Sequence, residues 1–114
     1  MSKTTALIAA TAGASFEKAE MPLRKLTKTS VAVDIKFSGI CHSDIHQVRD
    51  EWSEGIFPMV PGHEIVGVVS EVGSAVTKHK VGDRVGVGVF VDSCGTCDPC
   101  KRGMENYCRT GNVQ

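Results

Sequence analysis

The residues best equipped for chemistry in this chain are its cysteines. Four of the five, Cys94, Cys97, Cys100 and Cys108, fall in one stretch read as C-G-T-C-D-P-C-K-R-G-M-E-N-Y-C. Thiols at this spacing can converge on one metal ion, and four thiolates around a tetrahedral centre make a structural zinc site. Gly95, Pro99 and Gly103 stand between the ligands, where a tight lobe needs sharp turns, and no apolar periodicity predicts a helix or strand there. Residues 93–109 are therefore expected to form a metal-held loop. Two other readings use the same thiols. A bacterial iron–sulfur run has its fourth cysteine four residues after the third and followed by proline, whereas Cys108 follows Cys100 by eight and precedes Arg109. Disulfides could pair these four in three ways but would leave Cys41 over, which suits a reducing compartment better.

A second set of ligand types is more dispersed. Cys41, His63 and Glu64 stand at the ends of two expected strands, and ligands on separate rigid elements are how an open catalytic zinc site is built. Taken bare, each residue has a plainer reading: a lone buried cysteine behaves as a small hydrophobe, and a lone histidine is commonly satisfied or exposed. The pair His63-Glu64 does not extend to the metalloprotease pattern H-E-x-x-H, because position 67 is Gly67.

The elements that must position these groups are mostly strands. Lys3–Ala10 and Phe16–Met21 read as extended pieces around the turn-rich Thr11–Ser15. Val31, Val33, Ile35 and Phe37 alternate with Ala32, Asp34, Lys36 and Ser38, the period of a half-buried strand, and Gly39 ends it just before Cys41. Ser43 is placed to cap a short helix with Ile45, Val48 and Trp52 as its apolar stripe. Pro58 and Pro61 precede a strand over Ile65–Val72, whose Val and Ile content predicts burial on both faces. Val85–Val91 reads as a third clear strand, and His79 between Lys78 and Lys80 as surface. Short strands, many glycines and little helix predict an irregular β-barrel or sandwich.

Bulk properties narrow the function classes. At 114 residues the chain is one ordinary domain, and 13 basic against 13 acidic residues leave no electrostatic footprint for nucleic acid or anionic lipid. No stretch approaches the apolar length of a membrane span, and the small apolar run Ala6–Ala10 is too weak for a signal peptide. A cytoplasmic protein is expected.

The ordered motifs carry a resemblance. Gly39-Ile40-Cys41-His42-Ser43-Asp44, Gly62-His63-Glu64-Ile65-Val66-Gly67 with Gly73 beyond it, Val81-Gly82-Asp83-Arg84-Val85 and the four-cysteine lobe resemble the medium-chain, zinc-dependent alcohol dehydrogenases. Phe90-Val91-Asp92-Ser93-Cys94 and Glu105-Asn106-Tyr107-Cys108 look most like the cinnamyl-alcohol-dehydrogenase branch, whose members often use NADP. The match runs from Val31 to Cys108.

That resemblance implies a chaperonin-10-like (GroES-like) β-barrel that is mainly β with few short helices. It implies roles as well. Cys41 and His63 match ligands of a catalytic zinc, with Glu64 beside the metal as an exchanging ligand, while the lobe binds structural zinc. Ser43 matches the hydroxyl that takes the alcohol proton, and His46 the end of the relay that passes it to water. His42 matches a contact to the cofactor pyrophosphate, and Asp44 a carboxylate fixing the His63 imidazole. The reaction would be hydride transfer between a primary alcohol, or its aldehyde, and NADP or NAD.

The sequence also departs from the pattern. The resemblance implies a further cysteine for the catalytic zinc, and none follows Cys108. Gly86-Val87-Gly88 lacks the third glycine and helix start of a dinucleotide fingerprint. The chain is therefore expected to be an incomplete N-terminal portion, inactive alone, that a missing C-terminal domain or homo-oligomer would complete. A stand-alone zinc-bound β module acting by protein contact is the alternative, and a thiolate electron carrier a third. Trp52 and Phe57 could line an apolar alcohol pocket, though composition favours core packing.

Overall fold

In the computed structural model, which describes residues 3–111, the first two extended pieces pair as an antiparallel hairpin of β1 (Lys3–Ala9) and β2 (Phe16–Pro22). Its register runs from Lys3 opposite Pro22 to Ala9 opposite Phe16. The turn between them passes through Gly13, whose φ of 69° lies in the left-handed region that glycine enters at no steric cost. The Gly13 amide donates to the carbonyl of Val48 at 2.8 Å, which ties the hairpin turn to the end of the first helix. At its turn end, Ala9 exchanges two backbone hydrogen bonds of 2.9 Å with Met59.

A second sheet holds β3 (Val31–Ser38), β4 (Ile65–Val72) and β5 (Arg84–Val87), all antiparallel, in the order β3-β4-β5. Between β3 and β4 run α1 (His42–Val48) and a long irregular segment, and after β5 come α2 (Asp98–Lys101) and a short 3-10 turn, Glu105–Tyr107. The β3–β4 register slips between Ala32 and Val33 and again between Ile35 and Phe37. Gly67 accommodates this crossing: a Cβ there would lie 2.5 Å from both the Asp34 carbonyl oxygen and a Val33 methyl. The core is small, with Ala9, Val48, Val69 and Cys100 as its buried apolar side chains among the described residues.

Several sequence expectations need correction. β4 is buried at Gly67 and Val69, but Val66 is 51% exposed, as are Ile35 at 58% and Phe37 at 74%. The sheet is covered on one side only at that end, so its apolar residues do not become a two-faced core. β5 stops at Val87 instead of reaching Val91, because Val87 already pairs with Ile65, the first residue of β4, and Gly88 has no strand to meet. The first helix starts at His42 with Cys41 as N-cap, so Ser43 lies inside the helix and does not cap it. Asp44 supplies the start signal by accepting the Cys41 amide at 3.0 Å. The lobe is also less loop-like than its composition suggests, since Pro99 sits in the first turn of α2, where a missing amide hydrogen does no harm. Trp52 is not core, being 61% exposed.

Candidate metal centres and active site

The first centre is the lobe. α2 presents Cys97 and Cys100 from its N-cap and third position, while Cys94 precedes it and Cys108 returns from the 3-10 turn. Left-handed backbone at Gly95 (φ 65°) and Gly103 (φ 73°) lets the chain double back on either side of α2. All four sulfurs lie within 4.8 Å of one another, with Cys94 Sγ 3.9 Å and Cys97 Sγ 3.4 Å from Cys100 Sγ. Tetrahedral zinc with bonds of about 2.3 Å would hold its sulfurs about 3.8 Å apart, so the four thiols fit the ion.

The surroundings also suit thiolates. The Cys97 amide and the Thr96 hydroxyl donate to Cys94 Sγ at 3.4 and 3.5 Å, and the Cys94 amide donates to Cys108 Sγ at 3.5 Å. Hydrogen bonds from the Thr96 hydroxyl and amide, then from Cys97, bring the Cys94 thiol down to about 5. The Thr110 hydroxyl and the Cys94 amide lower Cys108. The Ser93 hydroxyl pulls Cys100 the same way, but burial and the neighbouring Cys97 and Cys108 thiols win and push it up to about 11.

The second centre sits where β3 and β4 end. The Gly39 amide donates to the Glu64 carbonyl at 2.7 Å, closing that end of the pair and setting Cys41 beside His63-Glu64. Gly62 takes a φ of 127°, which aims the following histidine inward. Ligand atoms of Cys41, His63 and Glu64 then lie within 4.8 Å of one another, so one ion can reach all three. Asp44 Oδ1 lies 3.2 Å from His63 Nδ1, off the line of a hydrogen bond, and Ser43 Oγ lies 3.3 Å from His63 Nε2. With Asp44 on Nδ1, Nε2 is the nitrogen left for a metal, which is the usual division of labour in metal histidines. Ser43 hydrogen bonds, then one from His63, hold the Cys41 thiol below its ordinary value. Its hydrogen bond to Cys41, then the charges of Asp44, Cys41 and Glu64, raise His63 against the effect of burial.

The remaining expected site residues fall on α1. His46 follows Ser43 by one helical turn, so the two share a face. His42 is exposed and its ring lies 4.8 Å from that of His46. Three neighbours escaped the sequence reading: Thr96 and Thr110 beside the thiols, and Glu51, whose carboxylate pairs with His46 Nδ1, while Gly39, read as a strand end, also packs against Glu64. Glu51 follows the helix end by a turn with no periodic signal. The hydroxyls sit next to motif cysteines, where their hydrogen-bonding chemistry could have been noticed.

A mainly β scaffold with a four-thiol lobe and a separate Cys-His-Glu cluster defines a domain equipped with two sets of metal ligands. Residues 27–113 match the family described as the alcohol dehydrogenase GroES-like domain. The chain is 58% identical over 112 residues to the probable formaldehyde dehydrogenase AdhA of Bacillus subtilis, covering 98% of this chain and 32% of that protein. It is 58% identical over 85 residues to cinnamyl alcohol dehydrogenase 8 of Arabidopsis thaliana, covering 75% of this chain and 24% of that one. The crystal structure of CAD from Helicobacter pylori complexed with NADP(H) superposes with a TM-score of 0.90 at 43% identity, over 97% of this chain and 32% of that chain. The chain belongs to the alcohol dehydrogenase GroES-like domain family, and its irregular β fold is the one expected of it. It spans about a third of the length of the curated relatives it first matches. Among the described residues no helix is long and apolar enough to cross a membrane.

Proposed function

We propose that this chain is the zinc-binding, alcohol-activating portion of an NAD(P)-dependent alcohol dehydrogenase or aldehyde reductase, with NADP the favoured cofactor. The observation that carries the reading is the meeting of Cys41, His63 and Glu64 within 4.8 Å, with the Ser43 hydroxyl 3.3 Å from His63, in a chain of this family. Zinc held by Cys41, His63 and Glu64 would supply Lewis acidity toward a small primary alcohol or aldehyde, and the dinucleotide would supply the hydride exchange. Ser43 accepts the alcohol proton, and His46, one turn further along α1, passes it to water. Asp44 keeps His63 in the tautomer that offers Nε2. His42, exposed at the start of α1, would offer a donor to the pyrophosphate of a bound dinucleotide. The lobe zinc, held by Cys94, Cys97, Cys100 and Cys108, is structural.

These 114 residues are not expected to turn over substrate by themselves, because the described part contains no doubly wound sheet to place a nicotinamide. The test assays the chain with NADP or NAD and primary alcohols, and measures its zinc content beside that of Cys41→Ala. No turnover, with a zinc that depends on Cys41, is the expected pair of results. Turnover abolished by Cys41→Ala would overturn the first claim, and zinc content indifferent to Cys41 would overturn the second. A module acting by protein contact alone predicts that indifference.

A further inference from the structure

We propose that Trp52 is a positioning residue for His46, an assignment that rests on the reading of His46 as the outer group of the proton path. The loop after α1 reverses at Asp50, whose left-handed φ of 60° is a conformation aspartate tolerates. The Glu51 amide then donates to the His46 carbonyl at 3.0 Å, and the Gly55 amide to the Asp50 carboxylate at 2.5 Å. This reversal lays Glu51 and Trp52 back along the last turn of the helix. The indole stacks on the His46 imidazole with ring centroids 4.9 Å apart and 27° between planes.

Trp52 is 61% exposed, so burial of its own surface does not explain where it lies. Trp52 covers a face of the His46 ring, Glu51 holds Nδ1, and His42 lies tilted at 59° with its ring 4.8 Å away, while Arg49 stands behind Glu51 at 3.8 Å. An indole face attracts an imidazolium, the form a relay histidine takes when it receives a proton. Trp52 therefore fixes the plane of the ring and Glu51 its edge, and Nε2 is the nitrogen available for exchange.

Trp52 is the one tryptophan of the chain, so its emission is a direct probe of the stack. In the 114-residue chain, His46→Gln is expected to change Trp52 emission, because it removes the ring stacked on the indole, and His42→Gln should leave the emission unchanged. By NMR, the His46 ring protons should carry an upfield ring-current shift that Trp52→Leu removes and Trp52→Phe partly restores. Trp52 emission that is the same in wild type and His46→Gln, or that changes in His42→Gln alone, overturns the proposal. So do His46 ring resonances that are the same in wild type and Trp52→Leu; the emission arm needs no Trp52 variant, so misfolding of one does not remove the test. Wild-type turnover of His46→Gln in an active dehydrogenase containing this segment would end the relay reading and leave the stack standing.

Discussion

Asp44 Oδ1 lies 3.2 Å from His63 Nδ1 while the other oxygen of the same carboxylate accepts the Cys41 amide at 3.0 Å. One side chain thus joins the start of α1 to the entrance of β4, and it aligns two metal ligands that are 22 residues apart in sequence. Asp44 is 7% exposed, so its carboxylate faces these partners and not water. Asp44→Asn keeps the shape but removes the negative charge that faces His63. Its expected effect is a loss of about 10- to 100-fold in metal affinity at the Cys41 centre, with the lobe unchanged. Competition with a chromophoric chelator measures this, and an unchanged affinity at both sites would count against the assignment.

Gly39 and Glu64 touch closely enough that side-chain substitution should be felt at the metal. A Cβ on Gly39 would stand 2.9 Å from Glu64 Cβ and closer still to its carboxylate. Gly39→Ala is expected to displace Glu64, destabilise the chain by about 1–3 kcal/mol and weaken zinc at this centre. Urea unfolding reads the first effect and metal retention the second. A neutral substitution on both measures would show that the β3–β4 end yields freely.

The strands were legible because their signal is local. Ile65–Val72 is found with the expected bounds, and Val31–Ser38 begins where alternation begins. The exposed side of Ile35, Phe37 and Val66 was not legible, because an apolar pattern states that a face avoids water and not what covers it. The lobe ligands could be read from spacing alone, as thiols so close in sequence have few other places to go. The Cys41 centre could not, since its ligands meet through the β3–β4 pairing; only the ordered motifs linked them in the sequence. The contact between His46 and Trp52 depends on the reversal at Asp50, which a hydrophobic pattern does not encode.

Metal is expected to hold the lobe together independently of the sheet. Its hydrogen bonds are mostly among its own residues, and it pairs with no strand. Cys97→Ser should therefore speed amide exchange over residues 93–109 and reduce zinc content by one, with β3–β5 protection retained. Unchanged lobe protection and zinc content in that variant would remove the structural-zinc reading.

Zinc binding to the lobe should release fewer than four protons at pH 7. Cys94, at about 5, is already a thiolate there and gives none, while Cys100, at about 11, is protonated and must lose its proton to bind. A thiol with a lowered value gives up a proton to zinc binding only at a pH below that value, where it is still protonated. Calorimetry in buffers of different ionisation enthalpy, using Cys41→Ala to silence the second centre, should give about three protons or fewer at pH 7 and more in acid. A count of four at pH 7 would contradict a preformed Cys94 thiolate.

The two centres should give up zinc in a fixed order. Four thiolates surround the lobe site, and the backbone turns at Gly95 and Gly103 pre-shape it. The other site offers one thiolate, one imidazole and the exposed Glu64 carboxylate, with a fourth position left to water. Replacing a thiolate by water removes a strong anionic ligand, and an exposed carboxylate exchanges readily with solvent. A mild chelator should therefore strip the Cys41 centre first and leave one tightly held zinc. Cys41→Ala should lose the early phase and keep the late one, whereas Cys97→Ser should do the reverse. Two equally tight zincs in the wild-type chain, falling to one in Cys41→Ala, would refute the order and show that three protein ligands suffice here.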